Sequence, residues 1–217
     1  MKKTKKIRRR FVQTAAWCCS FLLLAAPLAA QEQKNTLSPA QLQKQRMEMM
    51  QKIMQAKMRR SGGTGWTPTA WQQTLPAIKI KEGETAKEYS FTELIKADGY
   101  LCPGSARAYK ALQVALPLLY PDEVPVKADL EITYGASVCT EMVYIYFMQG
   151  ATTPEHLVFD KSIQNRIISV RRISTGKKVT ITFAPSGVRG HHPAAAQAGD
   201  VILRARENNG MTVRVEG

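Results

Sequence analysis

The chain has 217 residues, with 31 Lys and Arg against 17 Asp and Glu, for a formal net charge of +14. Seven of those basic residues and none of the acidic ones fall within the first 30, so the remainder carries +7, half the formal value. This excludes a nucleic-acid footprint: Lys79, Lys81, Arg171, Arg172, Lys177 and Lys178 are spread over strand-like segments and a turn, with no basic, aromatic-interleaved face.

Residues 2–10 concentrate the positive charge, residues 11–30 carry none, and the stretch ends in Pro27-Leu28-Ala29-Ala30. That order is the order of a cleaved secretory signal. The expectation is an exported protein, periplasmic or secreted, cut near Ala30. No stable membrane anchor is expected, because the apolar core from Phe21 to Ala30 is too short to span a bilayer. Arg8-Arg9-Arg10-Phe11-Val12 also resembles the twin-arginine pattern, so the export route stays open. Cys18 and Cys19 would leave with the signal, and only Cys102 and Cys139 remain.

Residues 31–65 form a separate segment. Ser38-Pro39-Ala40-Gln41 is a capping box with proline at the first helical position. Leu42, Met47, Met50, Ile53, Met54 and Met58 then follow near helical spacing, predicting an amphipathic helix over 38–60. Its stripe is expected to dock on the protein's own core or on a protein partner, although methionine sulfur also suits copper(I). Ser61-Gly62-Gly63-Thr64-Gly65 closes the segment as a linker. Residues 66–89 read as a further linker, with Ile78-Lys79-Ile80 as a short edge strand.

Ser90-Phe91-Thr92-Glu93 is a second capping box, opening a helix through Ala97. A loop over 98–104 leads to a helix from about Ser105, with Tyr109, Leu112, Leu116 and Leu119 on one face, kinked by Pro117 and ended by Pro121. Residues 126–134 alternate apolar with charged or polar for nine positions, which predicts a strand with one buried face. Ser137 can cap a helix running to Gly150, with Cys139 in its first turn. Strands are expected over 157–159, 166–173 and 178–183, the last two joined as a hairpin, and a final hairpin over 201–215 turns at Asn208-Asn209-Gly210. The sum is α+β: a mainly antiparallel sheet packed with helices, preceded by the N-terminal amphipathic helix.

Cys102 sits in a tight loop before a helix, and Cys139 where unpaired N–H groups and the helix dipole favour a thiolate. The run Phe91-Thr92-Glu93-Leu94-Ile95-Lys96-Ala97-Asp98-Gly99-Tyr100-Leu101-Cys102-Pro103-Gly104 resembles the signature of the FmdE-like family of formylmethanofuran dehydrogenase components, whose usual form is His-Gly-His-x-Cys-Pro-Gly. Glu131 before Cys139, Gly150-Ala151-Thr152 and the 170–179 hairpin follow the family's order, so the resemblance covers 90–184, leaving 185–217 as a His-His loop and terminal hairpin. It implies a metal, commonly zinc, around the cysteine and histidine positions. Here Asp98 and Tyr100 replace the two histidines, Ala151 stands where a cysteine is usual, and Met142 with Glu141 beside it stands near the usual acid. The resemblance does not imply formylmethanofuran dehydrogenase activity.

Three fates are open to Cys102 and Cys139. They are ligands of a metal or metallocofactor, with Asp98, Tyr100, Glu141 or Met142 as further donors; a disulfide, the ordinary fate of a lone pair after export, stapling a structural or interaction protein with no metal; or buried thiols, with an uncharacterised thiol enzyme as a further alternative. His191 and His192, in a Gly-His-His-Pro loop, are the missing ligands if a metal or haem is bound, and surface residues otherwise. His156 is the remaining histidine. No Gly-x-Ser-x-Gly, His-Glu-x-x-His or phosphate loop occurs, so no complete catalytic motif is present.

Overall fold

The computed structural model describes residues 66–96, 98–149, 156–188 and 193–217, together with Gln41, Gln45, Glu48, Met49 and Lys52. These five have helical backbone and exposed side chains. The apolar positions expected on that helix, the signal-like leader and His191-His192 lie outside the described residues. No described helix is long and apolar enough to cross a membrane.

The elements run in the order α1 (Ala70–Gln73), β1 (Ile78–Glu82), β2 (Thr85–Tyr89), α2 (Phe91–Lys96), α3 (Pro103–Leu119), a 3-10 turn (Lys127–Asp129), β3 (Leu130–Tyr134), α4 (Val138–Met148), β4 (Leu157–Phe159), β5 (Ile167–Arg172), β6 (Lys178–Phe183), α5 (Pro193–Arg204), β7 (Arg206–Glu207) and β8 (Gly210–Glu216). The larger sheet has the order β4-β3-β5-β6-β8-β7. Its central pairs β3–β5, β5–β6 and β6–β8 are antiparallel, and its edge pairs β3–β4 and β7–β8 are parallel. The fold is α+β, as the alternation of patterns predicts.

One face of the sheet is apolar. Ile132, Val170, Val179 and Val215 lie in cross-strand register, as do Ile168 and Ile181. α3 packs on this face against β5 and β6, and α4 and α5 flank it. Enclosed in this way, α3 buries every residue from Pro103 to Tyr109 and then Ala111, Leu112, Ala115, Leu116 and Leu119. The four positions predicted for its apolar face are all buried. The opposite sheet face is half-exposed and carries a bidentate Arg171–Glu131 pair across β5 and β3, at 3.0 and 2.6 Å.

The structure corrects three expectations. Residues 66–89 are not a linker with one edge strand: they hold α1 and the β1–β2 hairpin. α1 opens on a reciprocal capping box between Thr69 and Gln72. β2 gives no strand signal in the sequence because its residues before Tyr89 are all exposed, leaving no alternation to read. Of the 201–215 hairpin only the second strand forms, as β8 after the expected turn, since 193–204 is helix α5. Proline at its start, three alanines and the buried spacing Ala195, Gly199, Ile202, Leu203 outweigh the β-branched run at Val201 and Ile202. The strand expected over 126–134 begins only at Leu130, preceded by the 3-10 turn, and Lys127 is buried instead of solvated.

Lys127 explains that local reversal. Its Nζ ion-pairs with Glu82 at the end of β1 and donates to the Tyr89 hydroxyl at 2.7 Å and the Gln149 carbonyl at 3.4 Å. The ammonium also lies 4.9 Å from the Tyr89 ring centre and 5.5 Å from that of Phe147. Burial pushes the Lys127 pKa down, and Glu82 opposes this. Burial pushes Glu82 up, but hydrogen bonds from Lys127 and Tyr89 and the charges of Lys127 and Lys87 outweigh it and hold the carboxyl below its usual range.

The pair therefore anchors the β1–β2 hairpin to the main body. Glu82→Ala leaves an ammonium buried without its counter-charge, and urea unfolding should show a loss of about 3–5 kcal/mol. Lys127→Met should cost less, because the stem is kept and Glu82 is partly open to water. A folded-state pKa below the usual 4.5 means that Glu82's contribution is present above that pH and lost as pH falls through the lower folded value. Acid unfolding of the Glu82→Ala protein should lack that component.

Candidate metal centre

The site is built where two helices begin. The sequence places the start of the third helix near Ser105, but α3 starts at Pro103 and Cys102 is its N-cap, with extended backbone at φ −137° and ψ 170°. Proline at the first position has no N–H to leave unpaired. The Ser105 hydroxyl accepts from the Cys102 N–H at 3.0 Å and lies 3.2 Å from both the Tyr100 and Cys102 carbonyls, alternative acceptors for its one proton. Cys102-Pro103-Gly104-Ser105 is thus a capping box with sulfur in the place of the usual oxygen.

Cys139 is brought beside it by α4. The Ser137 hydroxyl caps that helix, accepting from the Thr140 N–H at 3.3 Å, so Cys139 stands in the first turn. The two first turns touch through Gly104. A Cβ added there would lie 2.7 Å from Ser137 Oγ and 2.9 Å from Cys139 Cβ, and the Thr140 hydroxyl donates to the Gly104 carbonyl at 3.0 Å. On the other side, Gly199 of α5 lets that helix lie on the Leu101-Cys102 segment, its own Cβ position falling 2.9 Å from Leu101 Cγ. The sequence presents Gly104 only as part of the Cys-Pro-Gly run and Ser105 only as a helix start, and does not mark Thr140 or Gly199. Only Ser105 carries a local signal, three residues after Cys102 with proline between.

Asp98, Cys102 and Cys139 bring their ligand atoms within 4.8 Å of one another. Asp98 and Cys102 are buried, Cys139 is half-buried, and Cys102 Sγ stands 3.5 Å from Asp98 Oδ2. No S–S bond joins the two cysteines in this structure. Glu141, though buried, is outside this group, because two residues after Cys139 it projects from a different side of α4. Tyr100 lies half-buried in the Asp98–Cys102 loop, and Met142 is buried one turn after Cys139. His156 is not among the three, and His191 and His192 fall outside the described residues.

The two sulfurs share their protons unequally. A hydrogen bond from Cys139 holds the Cys102 thiol down to about pKa 6, against burial, with help from the Ser105 and Gly104 backbone N–H groups and the Ser105 hydroxyl. The same hydrogen bond, together with burial and the nearby Asp98 charge, pushes Cys139 up. The 3.5 Å approach of Cys102 to Asp98 is attractive only while a proton lies between them. Once Cys102 ionises, its thiolate is stabilised by the N-terminus of α3 but faces the Asp98 carboxylate, a repulsion that a cation between them would relieve.

The donors fit a metal ion. Two sulfurs and one carboxylate oxygen are a borderline-soft set, and ligand atoms around a tetrahedral zinc lie roughly 3.5–4 Å apart. Three protein ligands leave a fourth position open.

In metal-free protein, ultraviolet thiolate absorbance should show one thiol ionising near pH 6, a step that Cys102→Ser removes and Cys139→Ser moves upward. Ionisation only near the usual thiol value would contradict the shared proton. Gly104→Ala should gain up to about 1 kcal/mol of helix propensity yet lose roughly 1–3 kcal/mol to overpacking, a net drop in stability by thermal or urea unfolding. No protein-family model matches this chain, and no curated protein matches it, so the reading of the centre rests on its own residues and their geometry.

Proposed function

We propose that this is an exported metal- or metallocofactor-binding module whose ion is held by Cys102, Cys139 and Asp98. The observation that carries the reading is the convergence of three ionisable donors on one buried point at two helix N-termini. The resemblance to the FmdE-like family adds support, because it implies metal around the same two cysteines, with Asp98 at one of the family's histidine positions. The basic, apolar and small-residue order of residues 2–30 supports export.

Zinc suits two thiolates and a carboxylate, and the fourth position would take a water, a substrate atom or a further side chain. A bound ion there would supply Lewis-acid polarisation. The chain's own contribution is to hold the Cys102 thiol pKa below its usual value, to hold Cys139 against it through the Gly104 contact, and to keep the carboxylate of Asp98 in place on the loop before α3.

Protein isolated without chelators should contain stoichiometric metal, and chelation should release it and expose two titratable thiols. Cys102→Ser should abolish retention. Asp98→Asn should weaken it by more than the roughly 10–100-fold that loss of an outer-shell partner costs. Metal-free protein whose thiols appear only after reduction would overturn the proposal and establish the disulfide instead.

A further inference from the structure

Arg107 is an unusual residue for the interior of this domain. It lies on α3, one residue past the buried Ala106, and is 5 % exposed. Its Nη2 donates to the Ser186 hydroxyl at 3.1 Å, whereas its Nε is buried with no hydrogen-bond partner among the described residues. No carboxylate pairs with it among the described residues. Lys127, the other fully enclosed cation, has Glu82 as its counter-charge. A guanidinium out of water whose one hydrogen bond goes to a neutral hydroxyl is under-compensated: burial pushes its pKa down, the charge of Cys102 opposes this, and Arg166 adds to it.

Arg107 lines a pocket of about 610 Å³, within the range of small-ligand sites. The pocket is also lined by Arg166, Gln164, Asn165 and the segment from Pro185 to Val188, and no acidic residue borders it among the described residues. Arg166 is half-buried and held in place, its Nε donating to Gln164 Oε1 at 2.6 Å and its Nη1 to the Phe183 carbonyl at 3.2 Å. Two positioned guanidiniums, amide and hydroxyl groups and no acid form a donor-rich cavity. The group missing from it is an oxyanion.

We infer that this pocket binds a small molecule through an oxyanion group, carboxylate or phosphate, held between Arg107 and Arg166 with Ser186 and Asn165 as neutral partners. The planar guanidinium presents paired N–H donors that match either group. The pocket's lining shares no residue with the Asp98–Cys102–Cys139 group, although Arg107 lies close enough to Cys102 to feel its charge, and the inference does not depend on a metal being bound there.

The test is thermal unfolding of the purified protein titrated with inorganic phosphate and, separately, with succinate, against sodium chloride at matched ionic strength. A saturable rise in the melting midpoint with phosphate identifies a tetrahedral oxyanion, and one with succinate a carboxylate. Either supports the site, provided that Arg166→Gln raises the half-saturating concentration by about tenfold or more, as loss of a charge-assisted hydrogen bond requires. Arg107→Met should remove the response altogether. Arg166→Gln, at a half-buried position, keeps the test intact should Arg107→Met not fold. No response beyond that of chloride, or a response unchanged in the Arg166→Gln protein, would overturn the inference.

Discussion

The close contact at Gly104 sets the rest of the site. With no side chain there, the first turn of α3 can press against the first turn of α4, and the Thr140 hydroxyl closes the gap onto the Gly104 carbonyl. Two helix N-termini then end at one place, each with backbone N–H groups that have no intrahelical acceptor. The sulfur of Cys102 fills that role for α3, and Cys139 rides in with α4. The cysteines are neighbours because a helix-to-helix contact 35 residues apart in sequence, Gly104 on Cys139, forces them to be. Their unequal ionisation follows, since two thiols and a carboxyl group in a dry space cannot all ionise unless a cation joins them.

The domain holds its buried ionisable groups in three ways. Lys127 is neutralised by Glu82 and further enclosed by the Tyr89 and Phe147 rings, so the charge works as an anchor for the β1–β2 hairpin. Asp98, Cys102 and Cys139 are acids with no base among them, relieved by a shared proton or by a metal. Arg107 is a cation with no carboxylate partner among the described residues, its Nε unpaired, beside a cavity with a second arginine. An ion pair satisfied within the protein is structural, whereas an unmatched excess of one sign leaves room for a partner of the opposite sign.

Much of the fold is legible because periodicity reports burial. β3 from Leu130, β5 and β6 alternate buried and half-exposed as their sequences do, and the capping box at Ser90 and the Ser137 cap begin helices where expected. The departures have specific causes. β2 exposes all but one of its residues, so its pattern carries no burial signal. Val201 and Ile202 look strand-like, yet an alanine-rich start and a buried stripe on α5 prevail, and Val201 faces solvent. Lys127 breaks the alternation because its partner, Glu82, comes from a hairpin 45 residues earlier.

The sequence by itself determined the α+β class, the local starts of α2 and α4, and the identity of the two cysteines, since these depend on propensity, capping and spacing within a few residues. It marks Asp98 as one donor among several, beside Tyr100, Glu141, Met142, His191 and His192. Only the tertiary structure set Asp98 and the two thiols within 4.8 Å of one another and left Glu141 outside that group, because the packing of α4 on α3 decides which side of a helix meets which loop. The same packing decided that Arg107, an ordinary residue on a helix in the sequence, is buried at the edge of a cavity. Contacts between segments far apart in sequence carry no local signal, and at both sites those contacts are where the chemistry lies.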